Sequence, residues 1–381
     1  MTISSVLNVE DARQIARRRL PRGLFEYIDR GTEDELSVRS NRRALDNIQL
    51  TPRTLVDIST RDQSISLFGK RLPSPFVIAP TAVAGLVWYD GEVQLAKAAA
   101  AHCIPFCVAT QSITPIERIA AESGASLWFQ LYVWKNRQRT FDLIERAKEA
   151  GAEVLVLTVD TPMGPKREYN LRNGFGIPIE PSVGAVIDVL VHPMWSVRVF
   201  LKSLLNGGVP TYAHYPDAFR TRLGQEALGD ELALAADLTW DDVRELRRRW
   251  PGPLVLKGIL SVEDAKQAAE QGVDGIVVSN HGGRNLDCAP GPAAVLEKVV
   301  DAVGNRITVL ADSGTRRGSD IAKFLSMGAQ AVLVGRAPLY GAAIGGTAGV
   351  NQILQILRSE LDGTMAFLGA PAISDLRGRH R

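Results

Sequence analysis

The chain has 381 residues, of which 45% are hydrophobic and 23% charged, and its formal net charge is +2. This is the composition of a globular protein, with room for one large domain or two ordinary ones. A charge this small argues against a nucleic-acid partner. The arginine runs at 17–19 and 247–249 are predicted to be solvated faces of helices.

Cysteine is sparse, and Cys103, Cys107 and Cys288 form no C-x-x-C pair. This argues against a disulfide framework and a structural zinc site, so no metal is predicted, and it suits a reducing compartment such as the cytoplasm. Acidic residues precede any apolar run at the N-terminus, so no signal peptide is expected. The longest uncharged run, residues 337–357, is interrupted by glycines and amides and is predicted to be a helix after a barrel strand.

Short apolar runs alternate with amphipathic stretches along the chain. The runs are rich in Val, Ile and Leu, as expected of strands covered on both faces. The predicted strands are residues 75–80, 104–110, 127–132, 154–160, 254–258, 275–281, 308–314 and 331–336. Helices are predicted at residues 91–102, 114–123, 136–150, 261–271, 292–303 and 317–327, and Gly151, Gly272 and Gly328 are expected to cap helix C-termini.

Eight alternations of strand and helix predict an α/β fold, the TIM (β/α)8 barrel. The alternative is a doubly wound sheet, which the lack of a G-x-G-x-x-G run after an early strand disfavours. The single domain would comprise an N-terminal helical extension (1–70), a barrel (71–168 and 237–381) and a long insertion after the fourth strand (169–236).

Polar and charged residues concentrate where the predicted strands end. Catalytic groups of a TIM barrel lie at the C-terminal ends of its strands, so we expect the active site there. The residues at these ends are Pro80, Thr81, Ala82, Gln130, Tyr132, Thr158, Asp160, Lys257, Ser279, His281, Asp312, Ser313, Gly314, Thr315, Arg316, Gly335 and Arg336, with Arg167 and Arg284 shortly beyond.

One of these segments, S-N-H-G-G-R-N-L-D at residues 279–287, resembles the active-site motif of the FMN-dependent 2-hydroxy acid oxidases and dehydrogenases. Further motifs resemble the family in the family's order. They are L-P-R-G-L-F-E-Y (20–27), W-F-Q-L-Y-V (128–133), L-T-V-D-T-P (157–162), L-K-G-I (256–259) and A-D-S-G-T-R-R-G (311–318). The resemblance runs nearly end to end and implies FMN as cofactor, a small (S)-2-hydroxy acid as substrate and a homotetrameric assembly.

The resemblance also implies roles for individual residues. Arg167 and Arg284, with Tyr27, would hold the substrate carboxylate, which a guanidinium can bind in bidentate fashion. His281 would be the general base and Asp160 would orient its ring. Tyr132 would be a catalytic residue that also hydrogen-bonds the substrate hydroxyl.

The remaining residues at the strand ends would bind the cofactor. Lys257 would lie beside the flavin where negative charge develops on reduction. The phosphate would bind the loops after the last two strands. By resemblance the phosphate residues are Gly314, Arg316, Gly335 and Arg336, and the ring and ribityl contacts are Thr81, Ala82, Gln130, Thr158 and Ser279, with Pro80, Asp312, Ser313 and Thr315 in the same loops.

Two positions depart from the family pattern. Asn285 stands where the family usually has glutamine, and Ala109 where many members have a hydroxyl residue near the flavin. Neither change removes a predicted catalytic group. Two other classes of protein are alternatives to this enzyme: a phosphate-binding barrel without redox chemistry, and a flavoprotein that only senses ligands. The combination of base, arginines and Lys257 disfavours a sensor, which needs no proton acceptor.

The insertion bears on the electron acceptor. Residues 183–205 combine aliphatic side chains, Trp195 and Phe200 with Arg198 and Lys202. The segment is predicted either to form a lid or to lie on an anionic membrane surface. Its H-P-M-W run resembles membrane-associated bacterial members of the family. We therefore expect oxidation of a mandelate-like acid or lactate, electron transfer to a quinone or other respiratory acceptor, and a peripheral location on the cytoplasmic face; the alternative is a soluble oxidase that uses oxygen.

Overall fold

The structure is a computed structural model that describes residues 3–175, 183–216 and 230–381. Eight parallel strands close into a barrel, which confirms the predicted fold. An antiparallel hairpin precedes the barrel. The hairpin is β1 (Ile65–Leu67) and β2 (Lys70–Leu72), and the barrel strands are β3 (Phe76–Ile78), β4 (Phe106–Ala109), β5 (Leu127–Leu131), β6 (Val154–Thr158), β7 (Leu254–Ile259), β8 (Gly275–Val278), β9 (Thr308–Ala311) and β10 (Ala331–Val334).

The strands follow one another around the barrel, and β10 closes it by pairing with β3, with Leu333 opposite Val77. The alternating side chains of each strand explain the two layers of the core. Residues such as Trp128, Val255 and Leu310 fill the interior. Leu67 and Leu72 of the hairpin belong to this interior cluster, so the hairpin, which was not predicted, closes the N-terminal end of the barrel.

Helices surround the barrel and extend at its ends. They are α1 (Val9–Arg19), α2 (Arg22–Asp29), α3 (Leu36–Asn47), α4 (Ala84–Val87), α5 (Gly91–Ala101), α6 (Ile116–Ser123), α7 (Arg137–Glu149), α8 (Glu168–Arg172), α9 (Val183–Leu190), α10 (Pro193–Trp195), a π-helical turn (Ser196–Leu201), α11 (Lys202–Gly207), α12 (Trp240–Arg249), α13 (Val262–Glu270), α14 (Pro292–Val303), α15 (Gly318–Ser326) and α16 (Arg336–Leu368).

The predicted helices are all present, with ends that differ by a residue or two. Gly151, Gly272 and Gly328 have φ of 84°, 72° and 99°, the left-handed geometry of a C-terminal cap. The last helix extends well beyond the predicted residues 337–357. It kinks at Gly345 and Gly346, where the backbone leaves helical geometry and then continues as helix to Leu368.

Most predicted strands proved too long at their C-terminal ends. Lys257 remains within β7, but Asp160, His281, Gly314 and Arg336 lie beyond the last strand residues. These polar residues therefore sit in loops just above the barrel. Loops there can take the positive φ angles that a strand cannot, as His281 (58°) and Ser313 (74°) do.

The insertion follows the fourth barrel strand, β6, as predicted, and its residues 176–182 and 217–229 lie outside the described part. Trp195 Nε1 donates to the carbonyl of Leu86, 2.7 Å away, which attaches α10 to the barrel mouth. His214 is buried against Phe129 and accepts from the backbone N–H of Ile116 at 3.0 Å. Within the described residues, every helix is too short or too polar to cross a bilayer.

Candidate active site

The loops above the barrel surround a cavity of about 1060 Å³, a volume that includes its open mouth. Nearly all the predicted site residues line it. They are Tyr27, Pro80, Thr81, Ala82, Gln130, Tyr132, Thr158, Arg167, Lys257, His281, Arg284, Asp312, Ser313, Gly314, Thr315, Arg316, Gly335 and Arg336. Asp160 and Ser279 are the two predicted residues behind this lining, and each contacts a residue that lines it.

His281 is held from both sides of its ring. Nδ1 lies 2.9 Å from Asp160 Oδ1, and Nε2 lies 3.5 Å from the hydroxyl of Tyr132. Burial lowers the pKa of His281 below its ordinary value, although the Asp160 carboxylate opposes this. The imidazole is therefore neutral near pH 7, the state in which a nitrogen can accept a proton.

Tyr132 and Asp160 have fixed protonation states beside this ring. Burial and the Asp160 charge raise the pKa of Tyr132 to about 12, so its phenol keeps its proton. Burial alone would raise the pKa of Asp160, but His281 and Lys257 outweigh it and lower the value to about 2. The site thus holds a neutral donor and an anion on opposite sides of one imidazole.

The backbone around His281 explains why the ring points into the cavity. His281 has a φ of 58°, and its N–H donates to Ser279 Oγ at 3.0 Å. Gly258 then makes room for Asp160: a Cβ at this glycine would lie 2.5 Å from Asp160 Cβ. The sequence motif at 256–259 indicated the family, but it did not reveal that Gly258 allows Asp160 to approach His281.

Lys257 is a buried cation, 4% exposed, beside the cavity floor. Its ammonium lies 3.3 Å from Asp312 Oδ2 and donates to Ser279 Oγ at 3.0 Å. Burial lowers the pKa of Lys257, but the carboxylates of Asp312 and Asp160 raise it more, so the charge is retained. Ser313 Oγ in turn donates to Asp312 Oδ1 at 2.8 Å, which fixes that carboxylate.

Arg167 and Arg284 both lie close to the ring of Tyr27. Their guanidinium carbons are 6.0 and 5.1 Å from the centre of its ring, and Arg284 donates to the carbonyls of Tyr27 and Arg30. Burial and the Arg284 charge lower the pKa of Arg167, whose buried Nε has no hydrogen-bond partner among the described residues. Two neighbouring cations of this kind suit a carboxylate ligand.

A second pair of arginines lines the cavity in the loops after β9 and β10, and Arg336 of this pair lies near Arg284. Arg316 stacks over Tyr340 at 5.6 Å, and Arg336 donates to the carbonyls of Ile28 and Arg30. Burial, with the charges of Arg284 and Arg316, lowers the pKa of Arg336 to about 10. Arg336 therefore remains charged at pH 7, and a phosphate would relieve its repulsion by Arg316.

The floor of the cavity carries neutral polar groups. Gln130 donates through Nε2 to Thr158 Oγ1 at 3.0 Å and accepts through Oε1 from the N–H of Thr110 at 3.2 Å. The hydroxyls of Thr81 and Thr315 are buried without a hydrogen-bond partner among the described residues. An elongated ligand with a polar ring and a phosphate therefore fits the cavity, because the arginines can bind an anion and the floor carries unsatisfied hydroxyl groups.

Several neighbours were not predicted as site residues. Ile28, Ala79, Leu333 and Leu339 line the cavity, and no polar pattern marked them. The departure at Asn285 also has a structural consequence, since its Nδ2 donates to the carbonyl of Asp160 at 2.9 Å and to Thr161 Oγ1 at 2.8 Å. Thr161 Oγ1 donates to Asp160 Oδ1 at 3.1 Å, so both residues fix the carboxylate behind His281.

These features define a TIM barrel with a flavin-binding type of cavity at the C-terminal ends of its strands. The family described as FMN-dependent dehydrogenase matches residues 16–380. The chain belongs to the FMN-dependent dehydrogenase family, and its cofactor is FMN. The family, the cofactor and the enzyme class predicted from the sequence are thereby confirmed, and the doubly wound sheet, the barrel without redox chemistry and the ligand sensor are set aside.

Several relatives match nearly the whole chain. (S)-mandelate dehydrogenase of Pseudomonas putida is 40% identical over 98% of this chain and 93% of its own length. L-lactate dehydrogenase of Caulobacter vibrioides is 40% identical over 97% of this chain and 96% of its own. The crystal structure of the monotopic membrane protein (S)-mandelate dehydrogenase superposes with a TM-score of 0.93 at 39% identity, covering 99% of both chains.

Proposed function

We propose that this FMN-dependent dehydrogenase oxidises a (S)-2-hydroxy acid, mandelate-like or lactate, to the 2-oxo acid. One observation carries the proposal. A single cavity contains a neutral histidine that is paired with a carboxylate, and it also contains two arginines that have no carboxylate partner among the described residues. The relatives are named (S)-mandelate dehydrogenase and L-lactate dehydrogenase, and these names support the same substrate class.

Arg167 and Arg284 hold the substrate carboxylate, together with Tyr27. The unpartnered Nε of Arg167 supplies one donor. Arg284 commits its Nη1 to two backbone carbonyls, which leaves its other nitrogens for the ligand and fixes the plane of the guanidinium. Because burial lowers the pKa of Arg167 and the neighbouring Arg284 charge lowers it further, binding one anion stabilises both cations.

His281 removes the hydroxyl proton through Nε2, the nitrogen that faces Tyr132. Asp160 accepts from Nδ1–H, which selects the tautomer with a free Nε2 and stabilises the imidazolium once it forms. Tyr132, neutral throughout, donates to the substrate oxygen and positions it near the base. FMN, when bound, accepts the two electrons that leave the α-carbon.

Cofactor binding is assigned to the residues after β9 and β10 and on the cavity floor. Arg316 and Arg336, with Gly314 and Gly335, would hold the phosphate, and the buried charge of Lys257 would stabilise the negative charge that the flavin gains on reduction. Asp312, Ser313 and Ser279 position Lys257 and the His281 backbone. The ring and ribityl contacts are Pro80, Thr81, Ala82, Gln130, Thr158 and Thr315.

Anaerobic mixing with a panel of 2-hydroxy acids tests this function directly. Loss of the flavin absorbance should follow addition of (S)-mandelate or (S)-lactate and should be absent with the (R)-acids. Bleaching by neither enantiomer of any 2-hydroxy acid would overturn the substrate assignment while leaving the cofactor in place. Comparing phenyl with methyl side chains ranks the substrates, because one apolar pocket contact contributes only about 1–3 kcal/mol.

We further propose that a quinone is the acceptor and that the insertion holds the enzyme on an anionic, cytoplasmic membrane surface. The described part of the insertion exposes large apolar side chains over a short stretch. They are Val186, Ile187, Leu190, Val191, Met194, Val197, Phe200, Leu201 and Leu205. Cations border this surface. Lys202 lies 4.2 Å from the ring of Tyr89. Burial lowers the pKa of Arg19, and the nearby charge of Arg198 lowers it further.

A further inference from the structure

A second cavity, of about 770 Å³, lies between α2 and the insertion. Its lining is mostly apolar, with Leu24 from α2, Leu86 from α4 and the aromatic rings of Phe175, Trp195 and Phe200 from the insertion. The lining also includes Asn173 and Asp188, and Asp188 Oδ2 accepts from the backbone N–H of Arg22. Trp195 and Phe200 stack at 6.0 Å with an interplanar angle of 15°. A cavity with this lining suits a flat apolar group better than a flexible polar one.

One pair of rings separates this cavity from the flavin cavity. Tyr27 lines the flavin cavity, Phe175 lines the apolar one, and their ring centres are 5.5 Å apart. Gly23 permits this proximity, because a Cβ there would lie 3.0 Å from Phe175 Cβ. Tyr27 and Phe175 therefore form an aromatic layer between the two cavities.

The opposite wall belongs to the helices that carry the exposed apolar surface. Val189 and Phe200 line the cavity, while Ile187, Leu190 and Val197 on the same segments face outward. Phe200 itself is 40% exposed. An apolar molecule dissolved in a bilayer would thus meet apolar side chains from the outer surface through to the Tyr27–Phe175 layer.

We propose that this cavity binds the ring of a lipophilic quinone, and that electrons leave reduced FMN across the Tyr27–Phe175 layer. The proposal rests on the proposed function, since it requires a quinone acceptor. The overall reaction balances: the 2-hydroxy acid loses two electrons and two protons, and the quinone gains both, giving a 2-oxo acid and a quinol. Asn173 also lines the cavity; its Nδ2 donates one N–H to Glu26 Oε2, and the second N–H is the donor for a quinone oxygen.

A pair of matched substitutions tests the site on the holoenzyme. Val189→Trp fills the cavity from the insertion, whereas Val197→Trp adds the same indole to a residue that is 59% exposed and outside the lining. Leu86→Trp fills the cavity from the barrel side and serves as a second variant. The probes are a decyl-chain benzoquinone and ferricyanide, a small polar acceptor.

We expect Val189→Trp and Leu86→Trp to slow reoxidation by the benzoquinone at least tenfold and to weaken its binding to the oxidised holoenzyme, measured by calorimetry, by a similar factor. Flavin reduction by substrate and reoxidation by ferricyanide should stay within twofold of wild type, and Val197→Trp should match wild type throughout. Unchanged benzoquinone binding and reoxidation in both cavity variants would overturn the site. Wild-type enzyme that neither binds nor reduces the benzoquinone would instead overturn the quinone acceptor itself.

Discussion

His281 Nδ1 lies 2.9 Å from Asp160 Oδ1, although the two residues are 121 positions apart in the chain. They come from the loops after β8 and β6, which are separated around the barrel by β7 alone. Gly258 of β7 carries no side chain where the two loops meet, so the carboxylate can pass over that strand to reach the imidazole.

Replacing the base tests its role most directly. In His281→Gln the amide can still contact Asp160, so FMN should remain bound at wild-type stoichiometry. The rate of flavin reduction by substrate should fall by about 10²-fold to 10⁴-fold, the usual contribution of a general base. Stopped-flow absorbance under anaerobic conditions measures the rate, and a value near that of wild type would remove His281 from the mechanism.

Arg284→Lys should weaken substrate binding and also slow flavin reduction. Lysine keeps the charge but loses the planar fork, along with the two bonds to backbone carbonyls that orient it. The saturation curve of the reduction rate separates the two effects. Arg71→Lys, at an arginine whose side chain is 78% exposed and far from the cavity lining, is the matched control and should behave as wild type. Unchanged kinetics in Arg284→Lys would show that the carboxylate binds elsewhere.

The pH dependence follows from the lowered pKa of His281. Since the neutral ring is the active form, the rate should persist below pH 6.5 and fall only as the pH passes through the lowered value. Asp160→Asn removes an anion that raises the His281 pKa, so the acidic limb should move to still lower pH while the maximal rate drops. A pH–rate profile of both enzymes measures the shift, and an acidic limb that moves upward in Asp160→Asn would contradict the pairing.

Gly258→Ala should damage both stability and activity. A methyl group there would lie 2.5 Å from Asp160 Cβ, and the φ of 113° is itself unfavourable for alanine. Gly151→Ala provides the control, because its φ of 84° imposes strain but nothing lies within 4 Å of the added carbon. Both variants should lose about 1–3 kcal/mol of stability to strain, yet only Gly258→Ala should lose flavin reduction, measured alongside thermal unfolding. Equal reduction rates in the two variants would show that Asp160 tolerates displacement.

Replacing residues 183–205 with a short polar loop tests the membrane surface. The described apolar side chains of this segment should otherwise keep the protein with anionic vesicles, and each nearby cation adds about 1 kcal/mol. The shortened protein should float free of vesicles made with anionic lipid, while flavin reduction by substrate survives. Native protein that stays soluble beside the vesicles, and that is reoxidised faster by oxygen than by quinone analogues, would favour a soluble oxidase.

The alternation of apolar runs with amphipathic stretches was enough to predict all eight barrel strands, because parallel strands buried on both faces have a distinctive composition. The ends of those strands were less well predicted. The chain at His281 and Ser313 looks like continued strand, yet both residues have positive φ. Local sequence does not encode this geometry, which Ser279 Oγ and the surrounding loops impose on the backbone at His281.

The sequence by itself determined the family, the barrel and the identity of the charged groups, since residue types and their order at strand ends carry that information. Only the tertiary structure decided how those groups affect one another: how closely Asp160 approaches His281, which cation Asp312 keeps charged, and that Arg336 lies near Arg316 and Arg284. It also placed Phe175 against Tyr27, which no pattern indicated. The physical reason is that protonation states and cavity walls depend on distances between residues far apart in the chain, and folding alone sets those distances.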